Sequence, residues 1–292
     1  MNARNKRARG QRVNRIIRNT IIYIILTIMA VFWLIPFVYL IAQSFAKTYV
    51  QYQFFPLPNE LTLANYAKLF TTQFPFWRWW INTFLIAALT SVIKTCLVLM
   101  CSYALSRLRF KSRKSLMKLI LVLGMFPGFI GMVVTYQLLK LMGLVGGASA
   151  IFGIMLLYVA GSIMDYYIAK GFFDTISKSL DEAAMIDGAS KNTIFWKIIL
   201  PLSKPIVVYT LLMAFTGPWG DFMTVSYLVE GNKDAFNVAV GLKNIIDNKE
   251  TAQEQFTIFC AGGVLTSLPI IVLFFALQKY YVQGITGGAV KG

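Results

Sequence analysis

Long charge-free stretches alternate along the chain with short, strongly basic segments. An apolar run of about 18 or more residues with few charges is long enough to cross the hydrocarbon of a bilayer as a helix. Six runs fit: 20–46, 81–106, 119–139, 141–164, 206–229 and 255–278. Two of them carry a single charge, Lys94 in the second and Asp221 in the fifth. At about 1.5 Å per residue the longer runs cross a layer about 30 Å thick with tilt to spare. The predicted class is all-α and integral to a membrane. Residues 19–284 form the spanning domain between a basic N-terminal segment, 1–18, and a short tail, 285–292.

The segments between the runs assign the sides. Arg4, Lys6, Arg7, Arg9, Arg12, Arg15 and Arg18 precede the first run, and Arg107, Arg109, Lys111, Arg113, Lys114 and Lys118 lie between the second and third. The alternate segments are poorer in bases: Lys140 stands alone between the third and fourth runs, and 230–254 holds more acids than bases. Positive residues are retained in the cytoplasm, so both termini are expected inside a multi-pass cytoplasmic-membrane protein. The basic start followed by an apolar run has the outline of a signal peptide. The run is too long for one and lacks a small-x-small cleavage site, so it is read as the first helix.

Composition narrows the function. The chain is 57% hydrophobic and 14% charged, against about 25% charged in a typical soluble domain, which excludes an ordinary soluble globule. The net charge of +16 flanks membrane segments on one face, where each base gains about 1 kcal/mol from anionic lipid. Membrane lipids, and no nucleic acid, are therefore the expected partners of that charge. The sequence has no His, so the commonest general base and metal ligand is missing, and no G-x-x-x-x-G-K-[ST] phosphate loop occurs. No catalytic residue, metal or cofactor is expected on this chain. Cys96, Cys101 and Cys260 lie in apolar runs and read as core packing. Trp77, Trp79 and Trp80 precede the second run, as an interfacial aromatic belt does; stacking on a sugar is the alternative.

The segment 165–205 is far longer than a turn needs and balances five lysines with five acids, which suits a protein-facing surface. Ser179-Leu180-Asp181-Glu182 reads as a capping box, with Asp181 and Glu182 in a first turn where the helix dipole favours negative charge. Ala183 and Ala184 continue that helix and Gly188 ends it. A second short helix is predicted from Ser190 to just before Leu200-Pro201. A helical surface turn with no further role is the plainer alternative.

Glu182-Ala183-Ala184, Asp187-Gly188-Ala189, Ile198 and Leu200-Pro201 match the EAA loop of ABC-importer permeases at every specified position. Further segments resemble the carbohydrate-uptake members of that family: Asn82-Thr83, Ser102 to Arg107, Phe126-Pro127, Lys170 to Asp174, Val238 to Leu242 and Ser267 to Ile270. The tail resembles that of the smaller maltose/maltodextrin permease subunit, with Ile-Thr-Gly-Gly-Ala where that tail reads Leu-Thr-Ala-Gly-Gly. The resemblance implies a type I importer permease with six spans. It places ATP and Mg²⁺ on a pair of partner ATP-binding subunits, and implies a second permease subunit and an extracytoplasmic sugar-binding protein. It further implies that Asp181, Glu182, Ala183, Ala184, Asp187, Gly188, Ala189, Leu200 and Pro201 meet the ATPase, joined by Gly287, Gly288 and Lys291 of the tail. The outer segment 230–254 is then expected to meet the binding protein through Asn237, Val238 and Gly241, the alternative being a plain exposed connector. Maltodextrin is the expected cargo, and galacto-oligosaccharide the rival. An ion-coupled transporter would carry more intramembrane acids and no EAA loop.

Asp221 follows Gly217-Pro218-Trp219-Gly220, where proline removes a backbone donor. Two readings remain open. Trp219, Asp221 and Phe222 line a translocation path, or the break is a packing kink in which Asp221 pairs with a base such as Lys94.

Overall fold

The uncharged runs have no partner for backbone N–H and C=O groups except each other, so they close into helices. The computed structural model describes residues 2–51, 53–71, 73–126, 128–161, 163–247 and 250–289. Among these the helices, in order, are α1 (Asn2–Ser44), α2 (Ala64–Lys68), α3 (Phe76–Arg107), α4 (Arg113–Gly124), α5 (Gly128–Leu141), α6 (Ala150–Ala160), α7 (Ile163–Thr175), α8 (Ser179–Ile186), α9 (Lys191–Ile194), α10 (Leu200–Leu202), α11 (Lys204–Gly220), α12 (Phe222–Val229), α13 (Val238–Ile246) and α14 (Ala252–Ala289). The single β-type pairing among the described residues is a bridge between Ala46 and Leu61.

Four segments are each long and apolar enough to cross a membrane: Val13–Ser44, Phe76–Arg107, Ala150–Thr175 and Ala252–Tyr280. The other two predicted spans are broken. The third divides into α4 and α5, and the fifth is α11, which is interrupted at Asp221 and resumes as α12. The fourth runs further than expected, through α7 to Thr175, so the insertion predicted over 165–205 begins only at Ile176. Between Lys191–Leu202 and Lys204–Gly220 the chain bends by 81°, which lays α9 and α10 across the end of the bundle.

Helix α3 is the hub, packing on α6, α7, α11 and α13, while α14 packs on α1, α11 and α13. Two apolar cores form along it. At the end expected to be cytoplasmic, Val98, Leu99 and Tyr103 of α3 meet Phe173, Ala184, Ile194, Phe195, Ile199 and Ile206. At the other end Trp79 and Ile86 meet Phe215, Trp219, Val225, Val238 and Leu242. Helix α13, in the segment expected to be a solvated outer loop, is thus folded into the core.

That inward fold depends on close packing and three polar ties. A Cβ on Gly241 would lie 2.1 Å from the Trp79 ring, so only glycine admits the indole there. Asn82 Nδ2 donates to Asp234 O and Phe236 O at 2.8 and 3.0 Å, and Thr83 Oγ1 accepts from Val238 N–H at 2.8 Å. Trp79 is therefore buried, and only Trp77 of the three tryptophans is largely exposed, as an interfacial belt requires. Cys96 and Cys101 are exposed on α3 and only Cys260 is buried, correcting the expectation that all three pack in the core.

Gly241→Ala is expected to destabilise the bundle by about 1–3 kcal/mol or more, the usual penalty of overpacking, read as a fall in thermal midpoint in detergent. In a Trp79→Ala background the same glycine substitution should cost much less than in the wild type; an equal cost in both backgrounds would dissociate the glycine from the indole.

Candidate functional site

The insertion between α7 and α11 forms a small knob held from behind. Helix α8 begins at Ser179, with Lys178 as its N-cap and no side-chain cap. The predicted capping box does not form, because the Ser179 hydroxyl bonds instead to that of Ser177 at 2.7 Å. The predicted end does form. Gly188 has φ +80°, its N–H reaches Met185 O at 3.1 Å, and Ala189 N–H reaches Ala184 O at 2.9 Å. This doubly bonded left-handed ending is available cheaply only to glycine. Ser190 then caps α9, accepting from Thr193 N–H at 3.2 Å. A π-helical segment, Phe195–Ile199, turns Phe195 and Ile199 into the core before Pro205 opens α11.

The knob is two-sided. Asp181 and Ala184 face inward and are buried, whereas Glu182, Ala183, Met185, Ile186, Asp187 and Gly188 are exposed. Ile186 is 86% exposed, an apolar side chain that the described residues leave uncovered. Ala189 and Leu200 are half-buried and Pro201 is exposed. The predicted contact set is therefore divided: most of it is presented outward, and Asp181 and Ala184 hold it in place.

Arg107, the last residue of α3, is the anchor. Its guanidinium is 4% exposed and lies 3.2 Å from Asp181, itself 12% exposed. Arg107 Nη2 also donates to Phe173 O and Ile176 O at 3.0 and 2.8 Å, carbonyls at the end of α7 that have no further turn of helix to bond. Ser106 Oγ donates to Asp174 Oδ1 at 2.6 Å, Lys170 pairs with Asp174, and Ser102 Oγ donates to Tyr166 O at 2.9 Å. Burial pushes the Asp181 carboxyl above its usual range, and the Arg107 charge opposes this only in part. Sequence reasoning counted Arg107 as one more base flanking a span. Its place directly after Ser106, as the final residue of an apolar helix, is the available sign of a different role.

The two intramembrane charges are not partners. Lys94 Nζ lies 2.7 Å from Asp165 Oδ2, joining α3 to the first turn of α7. Asp221 accepts from Tyr158 Oη at 2.8 Å and, through its other oxygen, from Thr224 N–H at 3.0 Å. The kink at 217–221 is thus held by a hydroxyl and a helix cap, not by a base. Trp219 is buried against Trp80 and Phe215, with ring centroids 5.6 and 5.9 Å away, so it offers no free face to a sugar. Phe222 is half-buried, with Lys243 Nζ 6.0 Å from its centroid.

Asn237, Val238 and Gly241 are likewise interior, which corrects their placement on a partner-facing surface. Asn237 Nδ2 donates to Pro218 O and Asp221 O at 2.9 and 3.0 Å while Oδ1 accepts from Val240 N–H at 2.9 Å. It fastens α13 to the break in the fifth span. Gly287 and Gly288 lie within α14, and Lys291 falls outside the described residues.

A bundle of apolar helices with broken members, an intramembrane ion pair and a buttressed knob at one end is the architecture of a membrane transport component. The chain belongs to the family of binding-protein-dependent transport system inner membrane components, whose pattern matches residues 97–287. It is 35% identical over 284 residues to the galactooligosaccharides transport system permease protein GanQ of Bacillus subtilis, covering 96% of this chain and 98% of that protein. It is 36% identical to the maltodextrin transport system permease protein MalD of Streptococcus pneumoniae, covering 80% and 81%. Over 95% and 98% it is 32% identical to the maltodextrin permease MdxG of Bacillus subtilis. Its fold matches that of a chain from a bacterial ABC transporter that imports alginate, with TM-score 0.76 and 23% identity over 91% of this chain and 96% of that one. It is a multi-pass inner-membrane transport component, and its relatives are permeases, not enzymes.

Removing one partner of a buried ion pair typically costs about 3–5 kcal/mol. Arg107→Ala should cost that much and speed proteolytic cutting within 176–190. Asp181→Asn should cost less, because burial already disfavours the charge it removes. Equal midpoints for the two variants would contradict the anchor role of Arg107.

Proposed function

We propose that this chain forms half of the pore of an ATP-driven oligosaccharide importer, with maltodextrin as its cargo. It works with a second permease subunit, two ATP-binding subunits that hold ATP and Mg²⁺, and an extracytoplasmic sugar-binding protein. The observation that carries this reading is the knob. A short helix whose outward face is Glu182, Ala183, Met185, Ile186 and Asp187, and whose inward face is fixed by Arg107, has the form of a rigid joint for another subunit. An exposed apolar side chain flanked by acids suits a cleft that is apolar at its floor and basic at its rim. The tail, with Gly287, Gly288 and Lys291, is assigned to the same partner.

The maltodextrin permeases among the relatives support the cargo. GanQ supports galacto-oligosaccharide as the second reading, since its likeness extends over nearly the whole of both chains. The outer contact with the binding protein is moved from Asn237, Val238 and Gly241 to the exposed surface around them. Arg78 and Asp234, half exposed or more and paired at 2.7 Å, lie on that surface.

Purified with its partner subunits in proteoliposomes, the complex should hydrolyse ATP faster when given a maltotriose-loaded binding protein. Glu182→Lys should abolish the stimulation and maltotriose uptake, as should Ile186→Asp. Stimulation by a galactotriose-loaded protein in place of the maltotriose-loaded one would reassign the cargo. Wild-type coupling in both variants would remove the knob from the mechanism.

A further inference from the structure

The fifth span begins at Lys204, the first residue of α11, and the apolar stretch of the last span ends at Tyr280. Both mark the level where hydrocarbon gives way to headgroups on the side expected to be cytoplasmic. Between them lies an open groove of about 370 Å³, lined by Leu200 and Pro201 of α10, Lys204, Val207 and Val208 of α11, and Tyr280. Among the described residues none of α8 lines it, so it is separate from the outward face of the knob. Lys279 adds a second cation, its Nζ 5.0 Å from the centre of the Tyr280 ring. Lys204 and Lys279 are exposed, and neither pairs with an acid among the described residues, whereas Arg107 and Lys170 at the same end both do.

The adjoining chain has the character of a membrane interface. The limb Lys191–Leu202 meets α11 at 81° and so runs across the end of the bundle, not along it. It exposes Trp196 and Leu202, at 49% and 52%, together with Lys191 and Lys197. Aromatic, apolar and basic side chains in that mixture settle at the headgroup boundary. A lysine there lays its stem on apolar surface and sends its ammonium to the headgroups.

Two features select the occupant. The groove walls are helices whose backbone groups bond among themselves, so an extended peptide lying there would leave its own N–H and C=O groups unpaired. An acyl chain brings no polar group to satisfy. Two ammonium groups without acids, set above an apolar floor, call for a negative group joined directly to hydrocarbon. We infer that this groove seats one anionic phospholipid of the inner leaflet, with a chain against Pro201, Val207 and Val208 and its phosphate held by Lys204 and Lys279. The Tyr280 ring stands between chain and headgroup, a level that suits an aromatic body with a polar tip. A lipid so placed touches both limbs of the 81° bend and the last span together.

Native mass spectrometry of the full-length chain, purified with the subunits that accompany it, tests this by titration with phosphatidylglycerol and with phosphatidylcholine. One phosphatidylglycerol should be retained per chain at concentrations where phosphatidylcholine is lost. Each lysine near the surface contributes about a fivefold preference for anionic lipid, so Lys204→Gln combined with Lys279→Gln should weaken that retention about 30-fold. Val208→Trp, which fills the floor and leaves both lysines, should abolish it, while Lys114→Gln with Lys118→Gln on α4 should leave it unchanged. In native membranes, photoreactive p-benzoylphenylalanine in place of Tyr280 should cross-link to phospholipid. If Val208→Trp fails to assemble, the lysine pair and the cross-link decide. Equal retention of the two lipids, retention unaffected by the groove variants, displacement by excess inorganic phosphate, or a cross-link to a protein subunit would each overturn the assignment.

Discussion

A single buried guanidinium ties three helices together at the end of the molecule that carries the knob. Arg107 terminates α3, donates to the carbonyls of Phe173 and Ile176 where α7 ends and faces Asp181 in α8. Withdrawing such a charge from water costs several kcal/mol, and the cost is offset only when geometry and additional hydrogen bonds are good. Nη2 serves both carbonyls, and Nε faces the Asp181 carboxylate as an ion pair without a hydrogen bond; a lysine ammonium, a compact point charge, has no planar fork to do both. The Ser102–Arg107 and Lys170–Asp174 segments, widely separated in sequence, belong to this one junction. Ser102 and Ser106 add bonds between α3 and α7, and Lys170 pairs with Asp174 within α7.

At the opposite end the same problem is solved without buried charge. Asn82, Thr83 and Asn237 hold α13 through neutral amide and hydroxyl groups, and Gly241 lets the Trp79 indole lie against the helix backbone. Helix α3 takes part in both junctions, so it is a continuous strut between the knob and the broken span. The intramembrane pair Lys94–Asp165 lies between them, where it joins α3 to the start of α7. Lys94, Asp165 and Asp221 thus each have a partner on a neighbouring helix, Lys94 with Asp165 and Asp221 with Tyr158, as the expense of burying them requires.

What the sequence made legible follows from the range of the forces involved. Spans, basic flanks, the Gly188 ending and the Ser190 cap depend on neighbours in the chain and were readable. Ser179 was misread because a nearer hydroxyl, Ser177, competes for it. Asn237, Val238 and Gly241 sit in a segment with solvated composition, and only the distant Trp79 and the carbonyls at Pro218 and Asp221 draw it inward. Pairing of Lys94 with Asp165 and not Asp221 was equally unreadable, since it turns on which helices face each other. Arg107 was read as one more base flanking a span, but its burial depends on α7 and α8 folding over it.

The arrangement of the two cores constrains how the knob can act on the membrane segments. Ala184, Ile194, Phe195 and Ile199 share one packed cluster with Val98, Leu99 and Phe173, and interiors packed to that density do not deform continuously. Displacing α8 therefore carries the ends of α3 and α7 with it as one body. The compliance must lie elsewhere in the connection. It is found at the 81° bend before α11 and at the Gly220–Asp221 break, where proline and unwound backbone replace the regular ladder. A rigid joint below and a hinged span above let a small rotation of the knob tilt α11 while α12 stays fastened to α13 by Asn237. In the importer proposed above, that division of stiffness lets the knob-side half of the fifth span move while its other half stays fastened to α13.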